Sequence, residues 1–433
     1  MKTTLFTSQK QTLTMLWLII VTCAYGQKSQ LNDEFDNPCS LSEWNNIVDV
    51  EGWDAEQLQE LNISDSISGS LMMRPWTSAW FEDYRGTLIF KEASGNFTFT
   101  SEVTALNGMN ETVLPGSTFS LAGLMIRSPK TITDAPNQWV SGDENYVFLS
   151  IGRANSGDGG SWQFEVKNTV SSNSNLFISN IPSNIATIRM VRKDNALLVL
   201  YRIGGNPWVV HRRYDRPDLP DTVQLGFVTY TDWPNVNVYS YEDHNNNVLN
   251  SGYENRNWEA DLTGAFNYAR FDTAQVPPAM DHLDLTDAAA ASDGDLLNWF
   301  GDDSAPAVTF DGSEWIGLID SDWNNPSNWR DGGIPASGDS VWIRNSSCAQ
   351  VHPPIVPAGL PTLSSLRISS GAQLTIPDGV VLVIDLQAPG SSVTNEGNIL
   401  VDGVLQVMHA SQREVRNRNN ITVSESGQLI IDP

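Results

Sequence analysis

The stretch ATIRMVRKDNALLVLYRIGGNPW, residues 186–208, decides the fold class of this chain. Its first half places Ile188 and Met190 on one side of an extended strand, and its second half alternates in the same way. Between them lies the polar tripeptide Lys-Asp-Asn at 193–195, which tolerates turn dihedrals. Two period-2 runs joined by such a turn predict a β-hairpin, and an isolated hairpin is only marginally stable in water. We therefore expect neighbouring segments to extend it into an antiparallel sandwich.

Length and charge limit the classes of function. The chain has 433 residues, which is long enough for two domains and a leader. It carries 51 acidic and 25 basic residues, for a formal net charge of −26. Nucleic-acid binding needs clustered cations to neutralise phosphate, so this balance argues against it, and it disfavours an anionic membrane surface for the same reason. The charge is typical of the solvated surface of a secreted protein.

Residues 1–26 have the features of a secretory signal peptide. Their apolar run, LTMLWLIIVTCAY, is too short to span a bilayer. Ala24 and Gly26 are small residues suited to cleavage before Gln27. Lipidation at Cys23 is an alternative. Since no later apolar stretch reaches membrane-spanning length, we expect an exported protein without a transmembrane segment, located outside the cell or on the cell surface.

Two domains are predicted from the pattern along the rest of the chain. Residues 27–250 contain many short strand-like runs separated by polar turns, which predicts a β-sandwich. Residues 251–306 are rich in aspartate and alanine and are interpreted as a closing segment followed by an acidic linker, with a short helix at 295–300. Residues 307–433 form the second unit, which begins with four spaced tryptophans that we expect to cap it: Trp315, Trp323, Trp329 and Trp342.

An internal repeat indicates the architecture of the second unit. The pattern V-x-N-x-G-x-I-x-V at 393–401 is echoed at 415–423, and G-x-L-x-V at 403–407 is echoed at 427–431. The pattern at 366–376 also resembles the one at 421–431. Coils of this length with alternating apolar positions and Asn or Gly corners predict a parallel β-solenoid. An ordinary sandwich with accidental self-similarity is the alternative.

The order of segments resembles a known family. The segments are LNDEFD with LSEW, GTLIFKEASGNFTFTSEV, LAGLMIRS, ENYVFLSIG, the hairpin above and DTVQLGFVTY. Over 31–232 they resemble secreted modules of the concanavalin A-like lectin/glucanase superfamily, as attached to bacterial polysaccharide-acting enzymes. The run SDWNNPSNWRDGGIPASGDSVWI with the repeat resembles β-solenoid segments of Bacteroidetes-type surface proteins. The resemblance implies an all-β chain, an N-terminal antiparallel jelly-roll β-sandwich and a C-terminal parallel β-solenoid.

Catalytic patterns are incomplete. Hydrolases of the superfamily carry E-x-D-x-x-E on one strand, and the nearest match here, at 34–39, ends in cysteine, so Glu34 and Asp36 are interpreted as structural. The acidic pairs at 82–83 and 143–144 put adjacent side chains on opposite faces and are expected to be solvated loop acids. The five histidines show no H-E-x-x-H pattern. These incomplete patterns favour a non-catalytic chain over an enzyme.

Metal and disulfide signals are also weak. Cys39 and Cys348 fall in different predicted domains, which predicts no disulfide framework. The aspartates at 293–295 and 302–303 could hold calcium, but they lack EF-hand spacing, and surface acids are the alternative. No other cofactor is expected, and a structural calcium ion elsewhere in the sandwich stays open.

The remaining candidates are aromatic and polar residues suited to sugars, because pyranose C–H faces stack on aromatic rings and hydroxyls pair with polar side chains. We expect the loop 76–85 to contribute most, and core packing is the alternative for each ring. The candidate glycan-binding residues are Trp76, Trp80, Tyr84, Arg85, Arg127, Trp162, Tyr230 and Trp233.

The sequence thus favours a secreted or surface protein that binds a polysaccharide or glycoconjugate without catalysis, with the solenoid as a spacer. A glycoside hydrolase or polysaccharide lyase is the competing hypothesis, and it requires a convergent carboxylate pair or a base on one sheet face. A purely structural surface protein is the third.

Overall fold

A computed structural model describes residues 28–35, 38–110, 112–130, 140–155, 160–302, 312–317, 319–344, 352–369, 371–388, 391–410, 414–417 and 419–432. Four predictions lie outside these residues: the signal peptide at 1–26, Asp36, Cys348 and the linker positions 303–306. The described chain is nearly all β, with an antiparallel sandwich followed by a parallel solenoid. The predicted fold class is confirmed.

The sandwich contains fifteen of the strands found in the described ranges. They are β1 (Asn45–Asn46), β2 (Leu58–Ile63), β3 (Leu71–Pro75), β4 (Ile89–Ser94), β5 (Phe97–Asn107), β6 (Ser120–Arg127), β7 (Tyr146–Arg153), β8 (Trp162–Val170), β9 (Asn173–Ile181), β10 (Ile185–Lys193), β11 (Ala196–Arg202), β12 (Val209–Asp215), β13 (Thr222–Tyr230), β14 (Leu262–Phe266) and β15 (Arg270–Asp272).

Helices are short and few among these residues. They are α1 (Ile47–Glu51), α2 (Trp233–Val236), α3 (Tyr241–Asn246) and α4 (Asp293–Phe300), with 3-10 turns at Lys28–Leu31, Pro38–Glu43, Pro278–Met280, Pro326–Asn328 and Arg330–Gly332. None of the described helices is long and apolar enough to cross a membrane.

Two antiparallel sheets form the sandwich. One has the order β1-β4-β13-β6-β7-β8-β9, and the other has the order β12-β11-β10-β5-β14-β3-β2, with β15 also paired to β5. The inward-facing side chains of both sheets form the main core, for example Leu124 and Leu149 from one sheet and Phe99 and Met190 from the other. Alternation along each strand thus leaves a second face on each sheet to be covered or solvated.

The hairpin at the centre of the sequence is formed as predicted. Strands β10 and β11 pair with Met190 opposite Val199, and Asp194 takes a positive φ of 53° in the turn. Ile188 and Met190 point into the main core. The opposite face is also buried, because Leu198 and its neighbours contact a separate apolar cluster that includes α4.

Residues 251–300, predicted as a closing segment followed by an acidic linker, contain strands and a helix that pack with the sandwich. Strand β14 lies between β5 and β3, so it is an interior strand of the second sheet. Helix α4 packs on the outer face of that sheet through Leu296 and Phe300. Arg213 of β12 donates to the carbonyls of Leu285 and Ala291 at 3.1 and 2.6 Å. The aspartates and alanines of this segment are typical of a linker, yet its apolar side chains cover the outer face of the hairpin.

The second unit is a three-sided solenoid. Its strands are β16 (Ser313–Trp315), β17 (Ser340–Ile343), β18 (Ser365–Ile368), β19 (Gln373–Ile376), β20 (Val381–Asp385), β21 (Ser392–Asn395), β22 (Asn398–Val401), β23 (Val404–Met408), β24 (Glu414–Asn417), β25 (Asn420–Val423) and β26 (Gln428–Ile431). They form three parallel sheets, β16-β17-β18-β21-β24, β19-β22-β25 and β20-β23-β26.

The repeat register agrees with the sequence prediction at both offsets. Ile399 pairs with Ile421, and Leu405 pairs with Leu429. The similarity between 366–376 and 421–431 was misleading, because Leu366 stacks on Val393 on a different face of the solenoid. The same alternation recurs on all three faces, so local spacing alone does not identify the face.

Tryptophans fill the start of the solenoid. The rings of Trp315, Trp323 and Trp329 are fully buried and contact one another, with centroid distances of 4.8 to 6.2 Å. The expectation that they close the solenoid rather than bind a ligand fits this packing.

Candidate functional site

A loop covers the outer face of the first sheet. Alternate residues of the strands in this sheet, such as Phe90, Met125 and Phe148, point away from the main core and form a second apolar cluster. The loop preceding β4 contributes Trp80 to this cluster, and the α1 region contributes Trp53. The indole N–H of Trp80 donates to the Thr87 carbonyl at 2.9 Å, which ties the loop to itself.

A buried ion network holds this loop on the sheet. The guanidinium of Arg127 donates to Glu51 at 2.6 and 3.1 Å and to Glu144 at 2.8 and 3.0 Å. Arg85 of the loop donates from Nε to Glu144 at 2.6 Å. All four side chains are almost fully buried. Two cations balance two anions, which is the condition under which buried charges are tolerated.

Electrostatics within this network are strongly coupled. Burial by itself would raise the pKa of Glu144, but the guanidiniums of Arg127 and Arg85 outweigh it and lower the pKa to about 2. Burial acts to lower the pKa of Arg127, and the two carboxylates reverse this and raise it above its ordinary value. Arg127 and the Nε donor of Arg85 therefore serve the fold, whereas Arg85 Nη2 is buried among the described residues without a hydrogen-bond partner.

A cleft opens beside the loop, on the same sheet face. Its volume is about 210 Å³, and it is lined mainly by apolar and aromatic groups: Ala79, Trp80, Phe81, Phe119, Lys167, Leu176, Tyr230 and Trp233. Trp233 contacts Phe81 and Phe119 edge-on, at centroid distances of 5.5 and 6.2 Å. These three rings are half-buried, so each presents part of its surface.

Polar groups at the base of the cleft are already paired. Lys167 lies 2.8 Å from Glu165 Oε1 and donates to the Trp80 carbonyl at 2.6 Å. The hydroxyl of Tyr230 donates to Glu165 Oε2 at 3.0 Å. Burial lowers the pKa of Lys167, and the neighbouring Glu165 carboxylate opposes that effect. The Lys167 ammonium also lies 5.1 Å from the centre of the Phe81 ring, which adds a cation–π contact.

Helix α3 fixes the position of the loop from the other side. The amide of Ala79 donates to His244 Nε2 at 3.2 Å, so the Nδ1 atom carries the proton and donates to Asn245 Oδ1 at 2.8 Å. Asn245 in turn donates to the Asp83 carbonyl at 2.8 Å. Burial lowers the pKa of His244 to about 4, so it is neutral at physiological pH.

One aspartate positions the cleft rim. Asp232 is buried and takes a positive φ of 67° just before α2, where Trp233 begins the helix. Its carboxylate accepts from Thr77 at 2.8 Å and from Ser117 at 3.0 Å. The orientation of Trp233 is thus set by contacts that join three separate segments.

The structure brings three of the predicted glycan-binding residues together at the cleft and places the others outside its lining. Trp80, Tyr230 and Trp233 all line the cleft. Trp80 is 0% exposed and Tyr230 is 1% exposed, so neither can serve as a stacking surface, and Trp233 alone of the three keeps partial exposure. The alternative of core packing applies to the first two.

The other predicted residues have structural contacts. Arg85 and Arg127 belong to the ion network, so the structure gives both a structural role beside their predicted contact with sugar hydroxyls. Tyr84 packs beneath Trp233 at 5.6 Å and donates to the Tyr239 carbonyl at 2.8 Å. The two remaining tryptophans are half-buried and do not line the cleft: Trp76, whose amide donates to Gln57, and Trp162, which packs against the main core.

Sequence reasoning missed five cleft residues, Ala79, Phe81, Phe119, Lys167 and Leu176. The alternation Glu165-x-Lys167, on the face of β8 opposite Phe164 and Val166, was the available signal, because paired charges on one strand face indicate a covered site rather than open solvent. The contribution of Phe119 comes from a positive φ of 53°, which residue type does not reveal.

The acidic residues are more ordered than expected. Glu34 forms a bidentate pair with Arg270 at 2.8 and 2.9 Å, consistent with its structural interpretation. Asp83 is buried and accepts from the Gly142 amide at 3.3 Å and from the Ser172 hydroxyl. Asp83 and Glu144 are therefore not solvated loop acids, because each is the acceptor for a segment brought from elsewhere in the chain.

The proposed calcium ligands have other partners. Asp293 pairs with Arg213, and Asp295 accepts from the Ser292 amide at 3.0 Å in a capping box at the start of α4. Asp303 lies outside the described residues. In the described ranges, no three His, Cys, Asp or Glu side chains converge as a metal site would require.

Comparisons with known proteins give distant similarities. No protein-family model and no curated protein matches the chain. A functionally unknown protein from Saccharomyces cerevisiae is similar over 55% of this chain and 99% of its own, at 12% identity and a TM-score of 0.36. A xylan β-1,4-xylosidase from Bacillus halodurans matches over 56% of this chain and 38% of its own, at 14% identity and a TM-score of 0.34.

A prokaryotic β-1,3-1,4-glucanase (lichenase) derived from a mouse hindgut metagenome matches over 56% of this chain and 98% of its own. Its identity is 12% and its TM-score 0.31. At these values the similarities identify neither a family nor a function for this chain.

Proposed function

We propose that the protein is an exported, non-catalytic glycan-binding or adhesion protein whose sandwich binds sugar at the cleft beside Trp233. The observation that carries this proposal is the cleft itself, with three partly exposed rings around a volume of about 210 Å³. Aromatic rings that retain one free face suit the apolar faces of pyranoses. The signal peptide and surface location inferred from the sequence, and the solenoid as a spacer, complete the proposal.

Rigid construction supports binding at this position. Trp233 is fixed through Asp232, and Phe81 belongs to a loop held by the ion network and by His244. A site whose rings are positioned before the ligand arrives loses less conformational entropy on binding. The buried network therefore has a role in binding, although none of its charges faces the cleft.

Catalysis by Glu165 is the competing possibility. A glycoside hydrolase needs a carboxylate that reaches the substrate as nucleophile or proton donor. Glu165 is fully buried, its Oε2 accepts from Tyr230, and its Oε1 lies 2.8 Å from the Lys167 ammonium without forming a well-aligned hydrogen bond. These contacts favour binding over turnover. Reducing-sugar release that disappears in Glu165→Gln would support the enzyme hypothesis instead.

A glycan array tests the proposal with the full chain. Wild type should bind a defined group of glycans, and Phe81→Ala should lose that signal while keeping its melting temperature. The control is Phe177→Ala, because Phe177 is 48% exposed on the same β9 strand as Leu176 but is not a cleft residue. A wild-type protein that binds no glycan on the array would favour the purely structural role.

A further inference from the structure

A second group of aromatic residues lies on the surface next to the cleft. Tyr239 lies 5.6 Å from Tyr253 and 6.3 Å from Trp258, and the planes of Tyr239 and Trp258 differ by only 16°. All three rings are partly exposed. We call Tyr239, Tyr253 and Trp258 the aromatic platform. Rings of this type are seldom left at the surface in a group without a binding role.

Polar contacts hold the aromatic platform in position. The Tyr239 hydroxyl donates to Glu254 Oε2 at 2.7 Å and accepts from Arg256 at 3.0 Å. The indole N–H of Trp258 donates to the Glu254 carbonyl at 2.9 Å. The Arg256 guanidinium lies 5.4 and 5.5 Å from the centres of the Tyr239 and Trp258 rings. A carboxylate and a guanidinium beside ring faces are the partners that sugar hydroxyls need.

The aromatic platform is rigidly connected to the cleft rim. Helix α2 begins at Trp233, and the Tyr239 amide donates to the Val236 carbonyl at 3.0 Å. The helical turn from Trp233 to Val236 and the hydrogen-bonded turn from Val236 to Tyr239 together separate the Cα atoms of Trp233 and Tyr239 by about 12 Å at most. Asp232 also accepts from the Glu259 amide at 3.0 Å, so it anchors both the cleft rim and the platform segment.

Charge narrows the class of ligand. The cation in the cleft, Lys167, is already paired with Glu165. The chain as a whole carries a net charge of −26, which repels anionic polysaccharides at long range. Both features favour an uncharged sugar chain over a uronate or sulfated one.

We infer that the aromatic platform is a second contact surface for the same glycan, which is therefore a neutral chain of several sugars spanning the cleft and the platform. This inference rests on the proposed function of the cleft. A single sugar fills one of the two surfaces, whereas a chain gains from both because the second contact is intramolecular. Chain length thus becomes the variable that separates the two surfaces.

The test measures affinity by calorimetry for cello-, xylo- and laminari-oligosaccharides of two and of six units. In Trp258→Ala the affinity for the bound hexasaccharide should fall about tenfold to a hundredfold, as for loss of one aromatic anchor, with disaccharide affinity unchanged. Trp258→Phe should restore most of it. Trp299→Ala is the control, because Trp299 lies at α4 on the other sheet. Tyr253→Ala is the second platform variant if Trp258→Ala is unstable.

Three outcomes would overturn the inference. One is a hexasaccharide affinity that stays within twofold of wild type in both platform variants. Another is an equal loss for disaccharide and hexasaccharide, which would place the ring in the cleft contact itself. The third is tighter binding of oligogalacturonate than of any neutral hexasaccharide. If the wild type binds none of the neutral or acidic probes, the proposed function fails as well, and that result is recognised before any variant is compared.

Discussion

Replacing Arg127 with methionine tests whether the buried ion network holds the covering loop on the sheet. The change removes five hydrogen bonds, of 2.6 and 3.1 Å to Glu51, 2.7 Å to Gln224, and 2.8 and 3.0 Å to Glu144. Breaking a buried ion pair by removing one partner costs about 3–5 kcal/mol. We expect the free energy of unfolding to fall by about 4 kcal/mol at pH 7, because Glu51 loses its guanidinium and Glu144 keeps only Arg85 of its two arginines.

The pH dependence gives an independent measure of the same network. Burial would raise the pKa of Glu144, but the two arginines lower it from 4.5 to about 2. A carboxyl with a lowered folded-state pKa stabilises the fold fully above pH 4.5, and this stability is lost as pH falls through about 2. A pKa difference of about 2.5 is worth about 3 kcal/mol. Arg127→Met should therefore lose less stability than wild type on acidification.

Urea unfolding followed by tryptophan fluorescence at pH 7 and pH 3 measures both effects. The matched control is Arg74→Met, because Arg74 pairs with Glu60 at 3.1 Å on the partly exposed surface. Such pairs contribute about 0–1 kcal/mol. The reasoning is refuted if Arg127→Met is as stable as Arg74→Met at pH 7, or if its loss of stability between pH 7 and pH 3 equals that of wild type.

Three further predictions concern packing and titration. Trp80→Ala should lower the free energy of unfolding by about 3–5 kcal/mol, measured by urea denaturation, because the ring is fully buried; a stable variant that merely loses glycan affinity would contradict this. Ile399→Asp should unfold the solenoid and spare the sandwich in calorimetry, because Ile399 is fully buried. Ile421 is only half-buried, so Ile421→Asp should have a smaller effect, and equal effects of the two variants would refute the coil order. The imidazole of His244 should titrate near pH 4 by NMR, since burial lowers its pKa, and its contribution to stability should be lost as pH falls from 6.5 towards 4; a midpoint near 6.5 would mean that it is solvated.

The hairpin and the solenoid register were predictable because both depend on local alternation. Ile188 and Met190 share a face by a period of two, and Ile399 and Ile421 share one by a fixed repeat length. Residue spacing along the sequence shows both patterns directly. The short helix expected at 295–300 is observed as α4, which starts at Asp293, and Ser292 and Asp295 form a capping box at its start.

The candidate site was predictable only in part, because exposure depends on contacts between distant segments. Trp80 in a loop and Trp233 at the start of α2 both lie outside the strands, yet Trp80 is fully buried and Trp233 forms the cleft rim. Arg127 was predicted to bind sugar, but it pairs with Glu51 and Glu144. These two partners come from other segments of the chain, so local sequence does not show the contacts. The many aspartates and alanines also hid the role of residues 251–300, whose apolar side chains complete the second sheet and its cover.

The most direct test of the central claim compares glycan affinity and melting temperature in Trp233→Ala. The ring lines the cleft, remains partly exposed and contacts Phe81 at 5.5 Å, so it should contribute binding without supporting the main core. We predict a melting temperature within a few degrees of wild type and an affinity about tenfold to a hundredfold weaker for the glycan selected on the array. Wild-type affinity in a folded Trp233→Ala protein would contradict the account.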